Sequence, residues 1–242
     1  MFFNRFPVAP AATNHRNTFF LGVCALVFSI LSLCTTDGKA FDRSDTLLHI
    51  VQQCLQKDKP GYCEQCLVPE RHTVCAGKTS CRATTELWTE NAEYVAIRDI
   101  KMCGCPADFV HGLVLPKQVV TGIEDGRRPD SIWQFAWDVA AQRLPAEEIA
   151  LAVNSKSRRS QNQLHIHLVR QKPGIEPLLA SSVAGHVQRL ADVWRWADQQ
   201  ALSRNMSEYG LLVMSAPRGG YRVVMTSDSP EYLFTRAVCT PQ

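Results

Sequence analysis

Ser160-Gln161-Asn162-Gln163-Leu164-His165-Ile166-His167-Leu168 alternates polar and aliphatic residues strictly, the period of an extended strand with two unlike faces. Leu164, Ile166 and Leu168 point into a core on this reading, while Gln163, His165 and His167 project together from the other side. Three interpretations of the paired imidazoles stand open: a half-buried strand whose polar face carries histidine, a pair of zinc or iron ligands, or a histidine that attacks phosphorus beside groups that hold the phosphate. No acidic residue follows closely, as a metal site would favour; Glu176 is the first, beyond Pro173 and Gly174.

The preceding residues favour the third interpretation. Ile149-Ala150-Leu151-Ala152-Val153-Asn154 reads as a buried strand ending in an amide, and Ser155-Lys156-Ser157-Arg158-Arg159-Ser160 joins it to the histidine strand as a hairpin tip. Asn154 and Ser160 can donate to phosphate oxygens, and Lys156, Arg158 and Arg159 raise the local positive potential. Each residue alone also fits a solvated basic turn.

This arrangement resembles the histidine-triad superfamily of nucleotide hydrolases and transferases, with its His-x-His-x-His run after a Ser or Thr and an Asn. The segment Leu151 to His167, with Leu113-Val114-Leu115-Pro116 and Trp133-Gln134-Phe135-Ala136-Trp137, is similar more closely to the bacterial CDP-diacylglycerol pyrophosphatase family. The likeness spans roughly Tyr94 to the C-terminus and is strongest around the histidines. By position it implies that His165 is the nucleophile and His167 the third histidine, giving a supporting hydrogen bond, while Asn154 and Ser160, with Arg159 beside them, contact phosphate. Gln163 stands where the first histidine would be, and Lys117-Gln118-Val119 stands after Pro116 where many triad proteins have a further histidine.

The resemblance implies hydrolysis of CDP-diacylglycerol to CMP and phosphatidate through a nucleotidyl-histidine, with no cofactor and no metal. The implied partners are the lipid-linked nucleotide and a membrane, and not nucleic acid. Expulsion of phosphatidate, a phosphate monoester with a second pKa of about 6, needs little proton help. Gln163 in place of histidine therefore weakens acid catalysis more than nucleophilic catalysis, and its amide remains a candidate donor to the bridging or non-bridging oxygen.

The 242 residues, 45% apolar, suffice for one globular domain plus an attachment. A net charge of +3 is too mild to signal nucleic acid, and no basic run interleaved with aromatics occurs. The chain lacks a Gly-x-Ser-x-Gly elbow, a Gly-x-x-x-x-Gly-Lys phosphate loop and a His-Glu-x-x-His helix.

The uncharged run from Thr18 to Cys34 is about long enough to cross a bilayer, as a retained anchor or a cleaved signal with a small-residue site at Gly38-Lys39-Ala40. Its length favours the anchor, and Arg5 and Arg16 before it keep the N-terminus cytoplasmic and export the rest, into the periplasm of a bacterium. The chain then divides into a cytoplasmic tip (1–17), the apolar segment (18–36), a Cys-rich extension (42–105) and a catalytic core (106–242). Cys54, Cys63, Cys66, Cys75, Cys81, Cys103, Cys105 and Cys239 form an even set that suits disulfides in an exported domain, with Cys54–Cys63 and Cys239 to an N-terminal-half cysteine preferred. Zinc knuckles at Cys63-x-x-Cys66 and Cys103-x-Cys105 are the alternative.

Strands are expected over 92–100, 111–115, 149–154, 160–168, 209–214 and 221–225, the last two joined through Arg218-Gly219-Gly220. Helices are expected over 131–143, with Ser131 and Gln134 as a capping box and Trp133 and Trp137 in the core, and over 186–202, with His186 at its surface start. The fold class is α+β, an antiparallel sheet with helices on one face. Two other functions stay open: action on another pyrophosphate-linked nucleotide, by hydrolysis or transfer, and a non-catalytic exported Cys-rich module, with or without zinc.

Overall fold

A computed structural model of the chain describes residues 43–73 and 75–240. The expected cytoplasmic tip and the apolar segment at 18–36 lie outside the described residues. Among the described residues no helix is long and apolar enough to cross a membrane.

Strands β1 (Leu87–Glu90), β2 (Tyr94–Arg98), β3 (His111–Pro116), β4 (Ile149–Val153), β5 (Ile166–Arg170), β6 (Val183–Val187), β7 (Gly210–Ser215) and β8 (Tyr221–Thr226) form one 8-stranded sheet in the order β1-β2-β3-β5-β4-β7-β8-β6. Every neighbouring pair is antiparallel. The segment read as a Cys-rich extension supplies β1 and β2 to this sheet. The helices are α1 (Thr46–His49), which runs on as a wider turn through Ile50–Cys54, α2 (Tyr62–Gln65), α3 (Ile132–Ala141), α4 (Glu176–Ala180), α5 (Val193–Ser203) and α6 (Pro230–Phe234).

Alternation along each strand sends one set of residues to each face. On one face Ala96, Val114, Leu151, Ile166, Leu168, Leu211 and Val223 pack under α3 and α5 through Ile132, Trp133, Val193 and Trp194. Both Trp133 and the half-buried Trp137 join this core, as expected from their helical spacing. The opposite face carries two separate clusters. Val95, Ile97, Leu113 and Leu115 meet Leu47, Ile50, Val51 and Tyr62 from α1 and α2, whereas Ala150, Ala152, Leu212 and Val224 meet Ile175, Leu179 and Phe234 from α4 and α6. Helices therefore cover both faces rather than one. The unbroken apolar runs Leu113-Val114-Leu115 and Ile149 to Val153 carry the physical reason, since a strand apolar at every position is buried on both sides.

Four expectations are corrected. All eight cysteines from 54 to 239 are in disulfides, but Cys54 pairs with Cys66 and Cys63 with Cys75, so the expected Cys54–Cys63 bridge is not formed; Cys81–Cys103 and Cys105–Cys239 complete the set. The zinc knuckles are thereby used up. Ser131 does not cap α3: its backbone is already helical and its Oγ lies 2.5 Å from the Tyr94 hydroxyl, while Gln134 donates to Asp138 at 2.8 Å. His186 lies in β6, paired with Arg222 of β8, and the helix starts only at Val193. Finally, β5 begins at Ile166, so His165 is the last residue of the hairpin tip.

Candidate active site

The histidines occupy the gap between the two apolar clusters of the second face. His167 stands opposite Leu113 on β3 and Ala152 on β4, and strand alternation places His111, two residues before Leu113, on the same face. At the end of β2 the Asp99 N–H donates to the His111 carbonyl at 2.9 Å, bringing that carboxylate alongside. Helix α6 brings in Glu231, which is 2% exposed.

The hydrogen-bond partners fix the tautomers, because a carbonyl only accepts. His165 Nδ1 lies 2.7 Å from the Gln163 carbonyl oxygen, so Nδ1 carries the hydrogen and Nε2 keeps its lone pair. His111 Nδ1 donates in the same way to Ala237 O at 3.0 Å, so neutral His111 accepts at Nε2 from His167 Nδ1, also at 3.0 Å. His167 Nε2 then faces Glu231 Oε2 at 3.3 Å with no hydrogen between them, and it is a buried atom without a hydrogen-bond partner. Burial pushes the pKa values of His165, His111 and, furthest, His167 below the ordinary 6.5. His111 Nε2 also lies 3.3 Å from Asp99 Oδ2, but burial outweighs that attraction and the ring stays neutral.

Glu231 ties the site together. It forms an ion pair with Lys101 and accepts from Asn154 Nδ2 at 2.8 Å, while Ser229 Oγ donates to Asn154 Oδ1 at 2.8 Å. Burial lowers the Lys101 pKa, yet the charge and hydrogen bond of Glu231 more than offset this and leave it raised above 10.5. Lys101 sits in a one-turn helix at Ile100–Met102 whose start is capped by Asp99 Oδ1, accepting from Lys101 N at 2.8 Å. Asp99, His111 and His167 also offer ligand atoms within 4.8 Å of one another, a set that can hold a metal ion.

A cavity of about 460 Å³ opens onto these residues, with His165, His167, Asn154, Ser160 and Lys101 in its lining. The rest of the wall is apolar, formed by Leu47, Ile50, Val68, Ile97 and Leu113, and Arg43, Arg82 and Arg158 add positive charge. The first three apolar residues belong to the disulfide-linked N-terminal part, which is thus a wall of the site as well as a neighbour of the sheet.

Of the residues singled out in the sequence, His165, His167, Asn154 and Ser160 come together here. Gln163 and Arg159 do not. Gln163 is fully buried; its Nε2 donates to Pro116 O at 2.9 Å and Gln118 O at 2.7 Å, which uses both amide hydrogens, and its Oε1 accepts from Val120 N at 3.3 Å. Arg159 forms two 2.6 Å bonds to Glu124 away from the cavity, and Arg158 takes the place beside it. Sequence reasoning missed His111, Asp99, Lys101 and Glu231. Only His111 carried a signal, since it lies at even spacing from Leu113 on a strand that was recognised.

Residues 42–206, more than half of the chain, match the family model for CDP-diacylglycerol pyrophosphatase. The chain belongs to that family of hydrolases.

Proposed function

We propose that this hydrolase cleaves the pyrophosphate of CDP-diacylglycerol by nucleophilic attack of His165, releasing phosphatidate and then CMP. The observation that carries the reading is the 2.7 Å contact from His165 Nδ1 to the Gln163 carbonyl, which leaves a neutral Nε2 lone pair beside a cationic, partly apolar cavity. The Nε2 pair forms the bond to the phosphorus nearest cytidine, and the bond from that phosphorus to the bridging oxygen breaks. Water then attacks the nucleotidyl-imidazole, giving CMP and restoring the ring. Asn154 and Ser160 hold the non-bridging oxygens, and His167, whose ring meets that of His165 edge-on with centroids 4.8 Å apart, packs against the nucleophile's ring and keeps it in place.

The site retains two of the three histidine positions of a histidine triad. In place of the first histidine, Gln163 braces the 116–120 segment instead of reaching substrate. The diacylglycerol end fits the apolar wall, and the segment at 18–36 would hold the enzyme at the bilayer that supplies such a substrate. Purified protein incubated with CDP-diacylglycerol should yield CMP and phosphatidate. Inactivity on it, with turnover of CDP-glycerol or a dinucleoside diphosphate, would assign the site to another pyrophosphate-linked nucleotide.

A further inference from the structure

A pyrophosphate brings two phosphates to the site, and Asn154 and Ser160 with His165 account for one. Because both amide hydrogens of Gln163 go to backbone carbonyls, the position of the missing histidine has nothing to offer the departing group. We infer that Lys101, pinned by Glu231, is the subsite for the lipid-side phosphate and stabilises its departure; this rests on the reading in which His165 attacks the cytidine-side phosphorus.

Lys101 is suited to this by what surrounds it. An ammonium carries three hydrogens, and Glu231 takes one, leaving two donors for the cavity that Lys101 lines. The same Glu231 carboxylate holds Asn154 at 2.8 Å, so one buried anion sets the spacing of the two phosphate-facing groups. The turn bearing Lys101 is followed at once by two disulfide cysteines, Cys103 bonded to Cys81 and Cys105 bonded to Cys239, which limits its movement. Beside it Ile97, Ile100 and Leu113 make the lining apolar, as the glycerolipid end of the substrate requires. The buried neighbour Arg98 is spent elsewhere, donating to Cys81 O at 2.8 Å and Thr84 O at 3.1 Å and pairing with Glu86.

As the bridging bond breaks, its electron pair passes to the bridging oxygen and leaves on phosphatidate. Lys101 keeps its proton and meets the new charge with a charge-assisted hydrogen bond. The contribution is specific to a leaving group that carries phosphate. A substrate with the same attacked phosphorus and a different leaving group, the p-nitrophenyl ester of CMP, therefore separates this role from general support of the site.

For Lys101→Met we expect kcat/KM on CDP-diacylglycerol to fall about 10²–10³-fold, the scale of losing one preorganised donor, with a loss below about tenfold on the nitrophenyl ester. Lys101→Arg, which keeps the charge, should recover part of the lost rate. Competition by short-chain phosphatidate should weaken in Lys101→Met by at least about tenfold, while CMP competes as before. Equal losses on both substrates, or unchanged phosphatidate competition in folded Lys101→Met, would overturn the subsite. Failure of the underlying reading looks different: His165→Ala would then retain turnover of both substrates whatever Lys101 does.

Discussion

His111 Nε2 stands 3.0 Å from His167 Nδ1, and the other nitrogen of His111 is committed in turn to Ala237 O at 3.0 Å. The pair thus transmits the position of the C-terminal segment to the ring next to the nucleophile. Removing His111 would leave a buried carbonyl and a buried imidazole N–H unpaired, at about 1–3 kcal/mol each. His111→Ala should lower unfolding free energy accordingly in denaturant titrations and reduce kcat, whereas His111→Gln, which keeps a donor and an acceptor, should lose less than half as much of both. Equal stability of His111→Ala and wild type would remove this pair from the account.

Activity should be insensitive to pH through 6.5 and fall only below it. His165 attacks as neutral imidazole, and burial lowers its pKa from 6.5, so protonation is postponed to more acidic solution. The same three depressed histidines couple stability to pH. The unfolded chain binds protons below 6.5 that the folded chain refuses, so their contribution is complete above 6.5 and is lost as pH falls from there toward the folded values. A kcat/KM profile with its acid inflection at or above 6.5 would contradict this.

The Cys105–Cys239 bridge closes 134 residues of chain and fastens the segment that supplies both Glu231 and Ala237. The double change Cys105→Ser, Cys239→Ser should cost about 5 kcal/mol by chain entropy. It should also reduce turnover at temperatures where the variant is still folded, because the carboxylate under His167 is released. In native protein the cysteines from 54 to 239 should resist thiol labelling until a reductant is added; ready labelling would contradict the pairing.

Strong chelation should leave turnover unchanged. Attack by imidazole with hydrogen-bond support of the phosphate has no need of a metal, although Asp99, His111 and His167 are close enough to hold one. Loss of activity on chelation and its return with zinc, in protein shown to remain folded, would make His167 a ligand instead.

Much of this was legible in the sequence where chemistry and period coincide. The alternation of Leu164, His165, Ile166 and His167 gave the face, the hairpin and two residues that line the cavity, and Asn154 and Ser160, at the two ends of the hairpin tip, line it as well. Period carries no information about partners distant in sequence. Glu231 reaches His167 from α6, and the disulfide pattern depends on how the turn ending at Cys54 packs beside α2, so neither could be read from spacing. Gln163 shows a subtler limit. Alternation assigned it correctly to the histidine face, yet the 116–120 segment folds over that end of the strand and captures the amide. Likewise the last two residues of β6, His186 and Val187, read as the start of a helix, because an exposed edge strand with the pattern Val183 to Val187 buries too little to show a clear period of two.

The most direct test of the account is the covalent intermediate. Enzyme mixed with CDP-diacylglycerol labelled in the cytidine-side phosphate, quenched without acid and digested, should carry label on the peptide containing His165 and His167, with fragmentation placing it on His165. His165→Ala should carry no label and be essentially inactive, while His167→Ala, which removes a neighbour of the nucleophile and not the nucleophile, should still label with a lower kcat. Label on His167, or substantial turnover by His165→Ala, would contradict the assignment of His165 as the attacking group.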